Sequence, residues 1–337
     1  MNFPSYVIVI GTSAGGMPAL TELVSQLPAS IPAAILVVQH LAPESSGEAL
    51  VNRLAHHSQL KCQLATDQTF IEPGHLYLAP PDRHMLLREN RLLITKGPRE
   101  NGYRPAADTL FRSAAVSFGS NVIGVVLTGL LHDGTAGLEF IKRCGGTAVV
   151  QAPYDAEYPS MPESALRNVD IDYTVPLAHM GGLLVELTNN QLPPQELAAI
   201  PKDLQTEAAI AERVVGTINE VQEIGHQVAI TCSDCGGTLW QLNQGNVLRF
   251  RCHTGHAFTA EALLDAEQSS LEETLWVAIR MMEERKILLT SMASRGSGSW
   301  GVQQEERAEE LKHHINRLRE FLLNGSSNTS AKQASTE

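Results

Sequence analysis

Short, continuous apolar runs alternate through the first 190 residues with longer stretches whose apolar positions recur every three or four. Val7 to Ile10 (V-I-V-I), Ile35 to Val38 (I-L-V-V) and Ile123 to Leu127 (I-G-V-V-L) are bounded by glycine and polar residues. Runs of this kind are strands buried on both faces, as in parallel sheets. Between them, Leu20, Leu23, Val24 and Leu27 in the stretch from Pro18 to Leu27 keep helical spacing, as do Ala49, Leu50, Leu54 and Ala55 in Gly47 to His57. Further helices are predicted near Asp108 to Phe118 and after Gly134, and a strand at Ala148 to Ala152. H-L-Y-L-A-P-P (75–81), M-L-L (85–87) and L-L-I-T (92–95) form a β-rich interlude. The alternation predicts an α/β fold over residues 1–190: a doubly wound, mostly parallel sheet with helices on both faces and an inserted antiparallel piece.

After T-N-N-Q-L-P-P-Q-E-L-A-A-I-P the pattern changes, and its prolines predict a linker over 191–205. Beyond it, Ala211, Val214, Val215, Ile218 and Val221 form a helical stripe, and Ile230 to Phe258 is a hairpin candidate. Leu271, Leu275, Ile279, Met282 and Leu289 mark a longer amphipathic helix, which R-G-S-G-S-W-G (295–301) should break before a second one carrying Leu311, Ile315, Leu318 and Leu322. Residues 206–323 are therefore expected to form a small α-helical module around a hairpin at 230–258. Residues 324–337 have almost nothing apolar to bury and are expected to be disordered. No internal repeat is evident.

The three strongest strand runs each lead into a different polar residue. The first runs into G-T-S-A-G-G and Ser13, the second into Gln39 and His40, the third into T-G-L-L-H-D-G and Asp133. Loops leaving the carboxyl ends of parallel strands share one edge, where ligands bind. A serine, a histidine and an aspartate brought to that edge point to nucleophilic acyl transfer. G-T-S-A-G also fits the G-x-S-x-G turn that exposes a nucleophile next to helix N-terminal N–H groups. A glycine-rich dinucleotide loop is the competing reading, but it wants glycine where Ser13 stands and an acidic residue after the second strand. His40 as a structural histidine and Asp133 as turn chemistry are the bland readings of each residue taken singly. The order Ser, His, Asp differs from that of α/β-hydrolases, chymotrypsins and subtilisins, so another scaffold is expected.

At these residues the chain resembles the chemotaxis protein-glutamate methylesterases, the CheB type. V-I-G-T-S-A-G-G, V-V-Q-H-L-A-P and L-T-G-L-L-H-D-G resemble that family's nucleophile, histidine and aspartate loops. P-G-H-L-Y-L-A-P-P-D-R-H-M, R-P-A-A-D-T-L-F and M-P-E-S-A-L resemble the segments between them. The resemblance covers nearly all of residues 5–190. It implies Ser13 as nucleophile, His40 as base and Asp133 as orienting acid, with main-chain N–H groups near Ala14 and Leu130 for the oxyanion. The implied substrates are methyl-esterified glutamates on the cytoplasmic helices of chemoreceptors, with glutamine deamidation a second activity and no cofactor needed for catalysis. Leu131 stands where the family usually has glycine, and Ala14 where it usually has threonine. Family members usually carry a phosphorylatable receiver domain, linked to a phosphorelay, ahead of the esterase. This chain begins at the catalytic strand, so control is expected from a partner or from the C-terminal region, if activity is controlled at all. The alternative to an esterase is a non-catalytic scaffold that binds signalling helices.

Composition narrows the classes. The chain of 337 residues suffices for one sizeable core and a smaller unit, and its 43% hydrophobic content includes no stretch of membrane-spanning length. A net charge of −12 argues against nucleic-acid binding. The start, M-N-F-P-S-Y-V, lacks the basic region of a signal peptide, and five cysteines with three clustered late do not read as a secreted disulfide framework. A cytoplasmic location is expected. Cys62 and Cys144 are expected to be buried side chains. Cys232, Cys235, Cys252 and His256, spaced C-x2-C-x16-C-x3-H, are candidates for a structural zinc, with His253 the rival for the fourth place. The flanking helices are expected to pack around the hairpin or to pair with a signalling partner.

Overall fold

The fold is described from a computed structural model, which covers residues 3–189, 200–213, 216–243 and 245–334, with side chains described as far as 323. The first strands and helices are β1 (Tyr6–Thr12), α1 (Gly16–Ser25), β2 (Ala33–Gln39), α2 (Glu48–His57), β3 (Lys61–Leu64), β4 (His75–Leu78), β5 (His84–Arg88) and β6 (Arg91–Thr95). There follow α3 (Ala107–Phe118), β7 (Val122–Val126), α4 (Thr135–Arg143), β8 (Thr147–Gln151), α5 (Ser160–Asn168), β9 (Tyr173–Val175) and α6 (Leu177–Asn189). Seven strands build one sheet in the order β3-β4-β2-β1-β7-β8-β9. All its pairings are parallel.

β1 lies at the centre, and every one of its residues is buried. Its side chains alternate between two cores: Val7 and Val9 pack beneath α3 and α4, Ile8 and Ile10 beneath α1, α2 and α6. This is why its sequence reads as a continuous apolar run rather than an alternating one. The chain winds outward from β1 through β2 on one side and through β7 on the other, so the order of strands reverses between β1 and β7. A crevice at the carboxyl ends is the usual consequence of that reversal.

The β-rich interlude divides differently from the expectation. β4 joins the main sheet in parallel, between β2 and β3, and only β5 and β6 form the inserted antiparallel hairpin. β3 and β9 escape the pattern because they are short and half-exposed at the two edges of the sheet. Most of the expected linker lies outside the described residues, as do Val214 and Val215. The stripe around them belongs to two helices, α7 (Lys202–Arg213) and α8 (Ile218–Ile224), rather than one. The second has its own start signal: Thr217 Oγ1 accepts from the Glu220 N–H, and Glu220 returns a bond to the Thr217 N–H.

The hairpin region is a four-stranded antiparallel sheet in sequential order, β10 (Gly225–Thr231), β11 (Thr238–Leu242), β12 (Arg249–Cys252) and β13 (Ala257–Thr259). It belongs to the same compact unit as the parallel sheet, Met1–Leu263, and does not separate at 191–205. Five buried charges account for this. Glu100 pairs with Arg112 (2.5 Å) and Arg251 (3.0 Å), and Glu207 of α7 with Arg249 (2.8 Å). Burial alone would raise the Glu100 pKa, but Arg112 and Arg251 overcome it and hold the carboxyl at about 2. An interface of this kind does not part cheaply, since each charge left behind would be buried and unpaired.

The second unit, Leu264–Glu337, is built from α9 (Ala260–Arg295) and α10 (Ser299–Ala334). The helices are interrupted where the glycine-rich segment was expected to break them. Ile279, Leu289, Ala308 and Ile315 are buried, and Arg319 pairs with Glu283 at 3.0 Å. The backbone of α10 is helical to Ala334, into the stretch expected to be disordered; the side chains there lie outside the described residues. No helix among the described residues is long and apolar enough to cross a membrane.

The β7–α4 contact is closest at Gly124, where an added Cβ would stand 2.5 Å from Ile141 Cδ1 and 2.7 Å from Leu138 Cδ2. Gly124→Ala is expected to force helix and sheet apart and to cost about 1–3 kcal/mol in denaturant unfolding. An unchanged midpoint would show that the contact is soft.

Candidate active site

The carboxyl ends of β1, β2 and β7 are stitched into one rim by main-chain bonds. Thr128 O accepts from both the Ser13 N–H (3.1 Å) and Thr12 Oγ1 (2.8 Å), joining the exits of β1 and β7. The His40 N–H donates to Thr12 O at 3.2 Å, joining the exits of β1 and β2. Gln39 Nε2 donates to the carbonyls of Ser13 (2.8 Å) and His40 (3.0 Å), fixing the two loops to each other. The turn into α1 must be glycine, since a Cβ on Gly16 would stand 2.0 Å from Gln39 Oε1.

On this rim the three expected side chains meet. Ser13 Oγ lies 3.2 Å from His40 Nδ1, and His40 Nε2 lies 2.8 Å from Asp133 Oδ2. An ionised carboxylate only accepts, so the proton of the neutral imidazole sits on Nε2 and the Nδ1 lone pair faces the serine hydroxyl. The Tyr103 ring stacks on His40 at 3.8 Å between centroids and 10° between planes, leaving the imidazole little freedom to turn.

Asp133 is fully buried and held at the N-terminus of α3. Its Oδ2 accepts from the Ala107 N–H (2.6 Å) and its Oδ1 from the Asp108 N–H (3.2 Å). Asp108 does the same for α4, with Oδ1 accepting from the N–H groups of Gly134 (3.0 Å) and Gly137 (2.6 Å). Each carboxylate thus satisfies donors that its partner's helix leaves unbonded, in the favourable field of a helix start. Asn101 Nδ2 donates to Asp108 Oδ2 at 2.7 Å and reaches toward Asp133 Oδ1 at 3.4 Å. Burial and the neighbouring Asp133 charge push the Asp108 carboxyl up to about 8.

Ala14 lies in the turn between Ser13 and α1, and its N–H donates to no carbonyl among the described residues. Leu130 and Leu131 lie on the loop between β7 and α4 and are 42% and 41% exposed. Leu131 takes φ of +68°, the left-handed region that glycine enters freely and leucine enters at roughly 1–2 kcal/mol. The leucine is accommodated by this conformation, and Asp133 still reaches His40. Tyr103, Asn101 and Gln39 went unread as site residues. A signal for the second was present: N-G at 101–102, flanked by Glu100 and Tyr103, is two-residue hairpin-turn chemistry.

Cys232, Cys235, Cys252 and His256 also converge. Their ligating atoms lie within 4.8 Å of one another, with Cys235 Sγ 3.9 Å from Cys252 Sγ and Cys252 Sγ 3.5 Å from His256 Nδ1. Zinc–sulfur bonds of about 2.3 Å in a tetrahedron imply sulfur atoms about 3.8 Å apart, so the donor set fits that ion. The Cys232 N–H donates to Gly237 O and the Gly236 N–H to Cys232 O, closing the first pair into a tight knuckle. His256 Nε2 lies 3.6 Å from Asp234 Oδ2, a carboxylate placed to orient a ligating ring. His253 turns instead toward Trp240, edge to face at 6.4 Å.

Residues 8–184 match the family described as CheB methylesterase. A Leptospira interrogans relative, bearing the name protein-glutamate methylesterase/protein-glutamine glutaminase in provisional form, is 37% identical over 195 residues, which are 57% of this chain and 98% of the relative. A Methanosarcina acetivorans protein-glutamate methylesterase/protein-glutamine glutaminase 2 is 36% identical over 192 residues, 55% of this chain and 54% of the relative. The crystal structure of the Thermotoga maritima CheB methylesterase catalytic domain is similar with a TM-score of 0.52 and 33% identity, over 54% of this chain and 98% of that one.

Asp108 makes stability fall as pH rises. Its folded-state carboxyl is protonated up to about pH 8, whereas an unfolded aspartate ionises near ~3.9. The native state therefore holds the extra proton between those values, and its contribution is lost as pH climbs through that window. Asp108→Asn, neutral throughout, is expected to gain in Tm on the wild type between about pH 4 and about pH 8. Parallel melting curves would remove the assignment.

Proposed function

The chain belongs to the CheB methylesterase family, and from that premise we propose that it hydrolyses glutamate γ-methyl esters, and deamidates glutamines, on chemoreceptor-type signalling proteins. In this reading Ser13 is the nucleophile, His40 the general base and Asp133 the orienting carboxylate. The observation that carries it is the unbroken contact chain from Ser13 Oγ through His40 to Asp133, at 3.2 Å and 2.8 Å.

The chemistry follows from those contacts. As Ser13 Oγ attacks the γ-carbonyl carbon, His40 Nδ1 takes its proton, and the imidazolium gains from the buried Asp133 carboxylate on its other nitrogen. The imidazolium then gives that proton to the departing methoxy oxygen, releasing methanol, or to the departing amide nitrogen, releasing ammonia, when a glutamine is the substrate. Water then attacks the glutamyl ester of Ser13, with His40 taking its proton and passing it to Ser13 Oγ, and the substrate protein leaves with a glutamate side chain. Main-chain N–H groups at Ala14 and around Leu130 are the proposed oxyanion donors. No cofactor enters any step. An open rim with Leu130, Leu131 and Met17 exposed, the last at 39%, supports a substrate presented on a protein surface, such as a methylated receptor helix, over a small molecule. The intact serine–imidazole contact favours an esterase over a non-catalytic scaffold. A cytoplasmic site of action fits substrates of this class.

Cys232, Cys235, Cys252 and His256 are proposed to hold one zinc ion. Four nitrogen and sulfur donors leave no open position, so the ion would stabilise the β10–β13 sheet and take no part in hydrolysis.

Ser13→Ala is expected to lower turnover by ~10⁴-fold or more, read as methanol released from methyl-esterified receptor helices. Unaltered release would exclude the role given to Ser13. Elemental analysis of the full chain is expected to find about one zinc per molecule, and markedly less in Cys232→Ser. A metal-free, fully folded wild-type protein would end that proposal.

A further inference from the structure

The turn from Glu100 to Tyr103 connects the active site to the Cys/His sheet. Asn101 and Gly102 both have positive φ, +51° and +80°, and the turn is closed by main-chain bonds between Glu100 and Tyr103 in both directions (3.2 and 2.9 Å). One side of Asn101 faces inward, its Nδ2 donating to Asp108 and reaching toward Asp133. The other side faces the hairpin. Asn101 Oδ1 accepts from the Thr259 N–H at 2.9 Å, and the Asn101 N–H donates to Ala257 O at 2.8 Å. Both partners belong to β13.

The two ends of an asparagine amide are opposite in polarity, and whatever grips one end decides what the other presents. A backbone N–H only donates. Thr259 therefore keeps the amide oxygen toward β13 and the NH2 group toward the two buried carboxylates. With the amide reversed, a carbonyl oxygen would replace the donor that now reaches toward Asp133 Oδ1, and the Thr259 N–H would lose its acceptor. Two residues further on, the same turn delivers the Tyr103 ring to the face of His40. The ends of this grip are anchored: Glu100 binds Arg251 of β12, Cys252 ends that strand, and His256 immediately precedes β13.

We propose that Asn101 is a positioning residue for the Asp133 carboxylate, and that the Cys/His sheet, through Thr259 and Ala257, holds it in the orientation the active site needs. The sheet thereby completes the site from outside the catalytic fold, and loss of metal is transmitted to the His40–Asp133 pair. The inference rests on the hydrolase reading for its effect on turnover, but its structural half can be read separately.

Asn101→Gly suits the test, because glycine keeps the left-handed turn and removes only the amide. The full-length wild type, this variant and both proteins after zinc chelation would be compared. The first readout is exchange with water of the His40 Nε2 proton, followed by NMR and assigned by its loss in His40→Gln. The second is kcat and KM for methyl-ester hydrolysis. Asn101→Gly and chelated wild type are each expected to exchange the proton at least ~10-fold faster and to lose on the order of 10- to 100-fold in kcat, with KM within about twofold. Chelation is expected to add little to Asn101→Gly, since both perturbations act through one residue. Wild-type exchange rates in Asn101→Gly, or fully additive effects of variant and chelation, overturn the proposal. Faster exchange in both perturbed proteins, in a wild type that hydrolyses no ester, upholds the positioning role and refutes only the assigned reaction.

Discussion

Two buried carboxylates, each seated on the first turn of the other's helix, are the constraint around which this molecule is arranged. Asp133 precedes α4 and binds the start of α3; Asp108 lies in α3 and binds the start of α4. The exchange fixes the two helices relative to each other and to the sheet beneath them. It also settles a chemical problem. Burial and the neighbouring Asp133 charge raise the Asp108 carboxyl, so the close pair need not carry two negative charges. Structural capping and the polarisation of His40 are two aspects of one set of hydrogen bonds.

The parallel sheet supplies the remaining geometry. Because β1 and β7 are neighbours although more than a hundred residues separate them, the Ser13 N–H bonds the Thr128 carbonyl, and a serine and an aspartate from distant loops meet on the ring of His40. The hydrophobic pattern reveals this much directly. β1, β2 and β7 are buried on both faces, so their sequences are unmistakable, and they lead into Ser13, His40 and Asp133, whose joint arrival at one edge says more than any of them singly. The resemblance of the three loops to one family then names the chemistry.

What the pattern does not reveal has definable causes. β3 and β9 are edge strands of three or four residues, too short and too exposed to leave a periodic trace. β4 reads like its antiparallel neighbours, because a four-residue apolar run is the same whichever way its partner points. The attachment of the Cys/His sheet to the catalytic unit was hidden for another reason. It depends on arginines and glutamates, residues that normally mark solvated surface, and nothing in spacing distinguishes the buried Arg251 from the exposed Arg280. Asn101 was hidden because its function is split between the two ends of one amide, with partners 7, 32 and 158 positions away in the chain.

Thr259 is the residue where these threads join. Its main-chain N–H holds Asn101, and its side-chain oxygen accepts from the Ala262 N–H, capping the 36-residue helix α9 that begins at the next position. The first turn of the long helix therefore starts from the residue that also holds the amide facing the buried carboxyl groups. Loosening that first turn would disturb the same residue whose main chain fixes the amide.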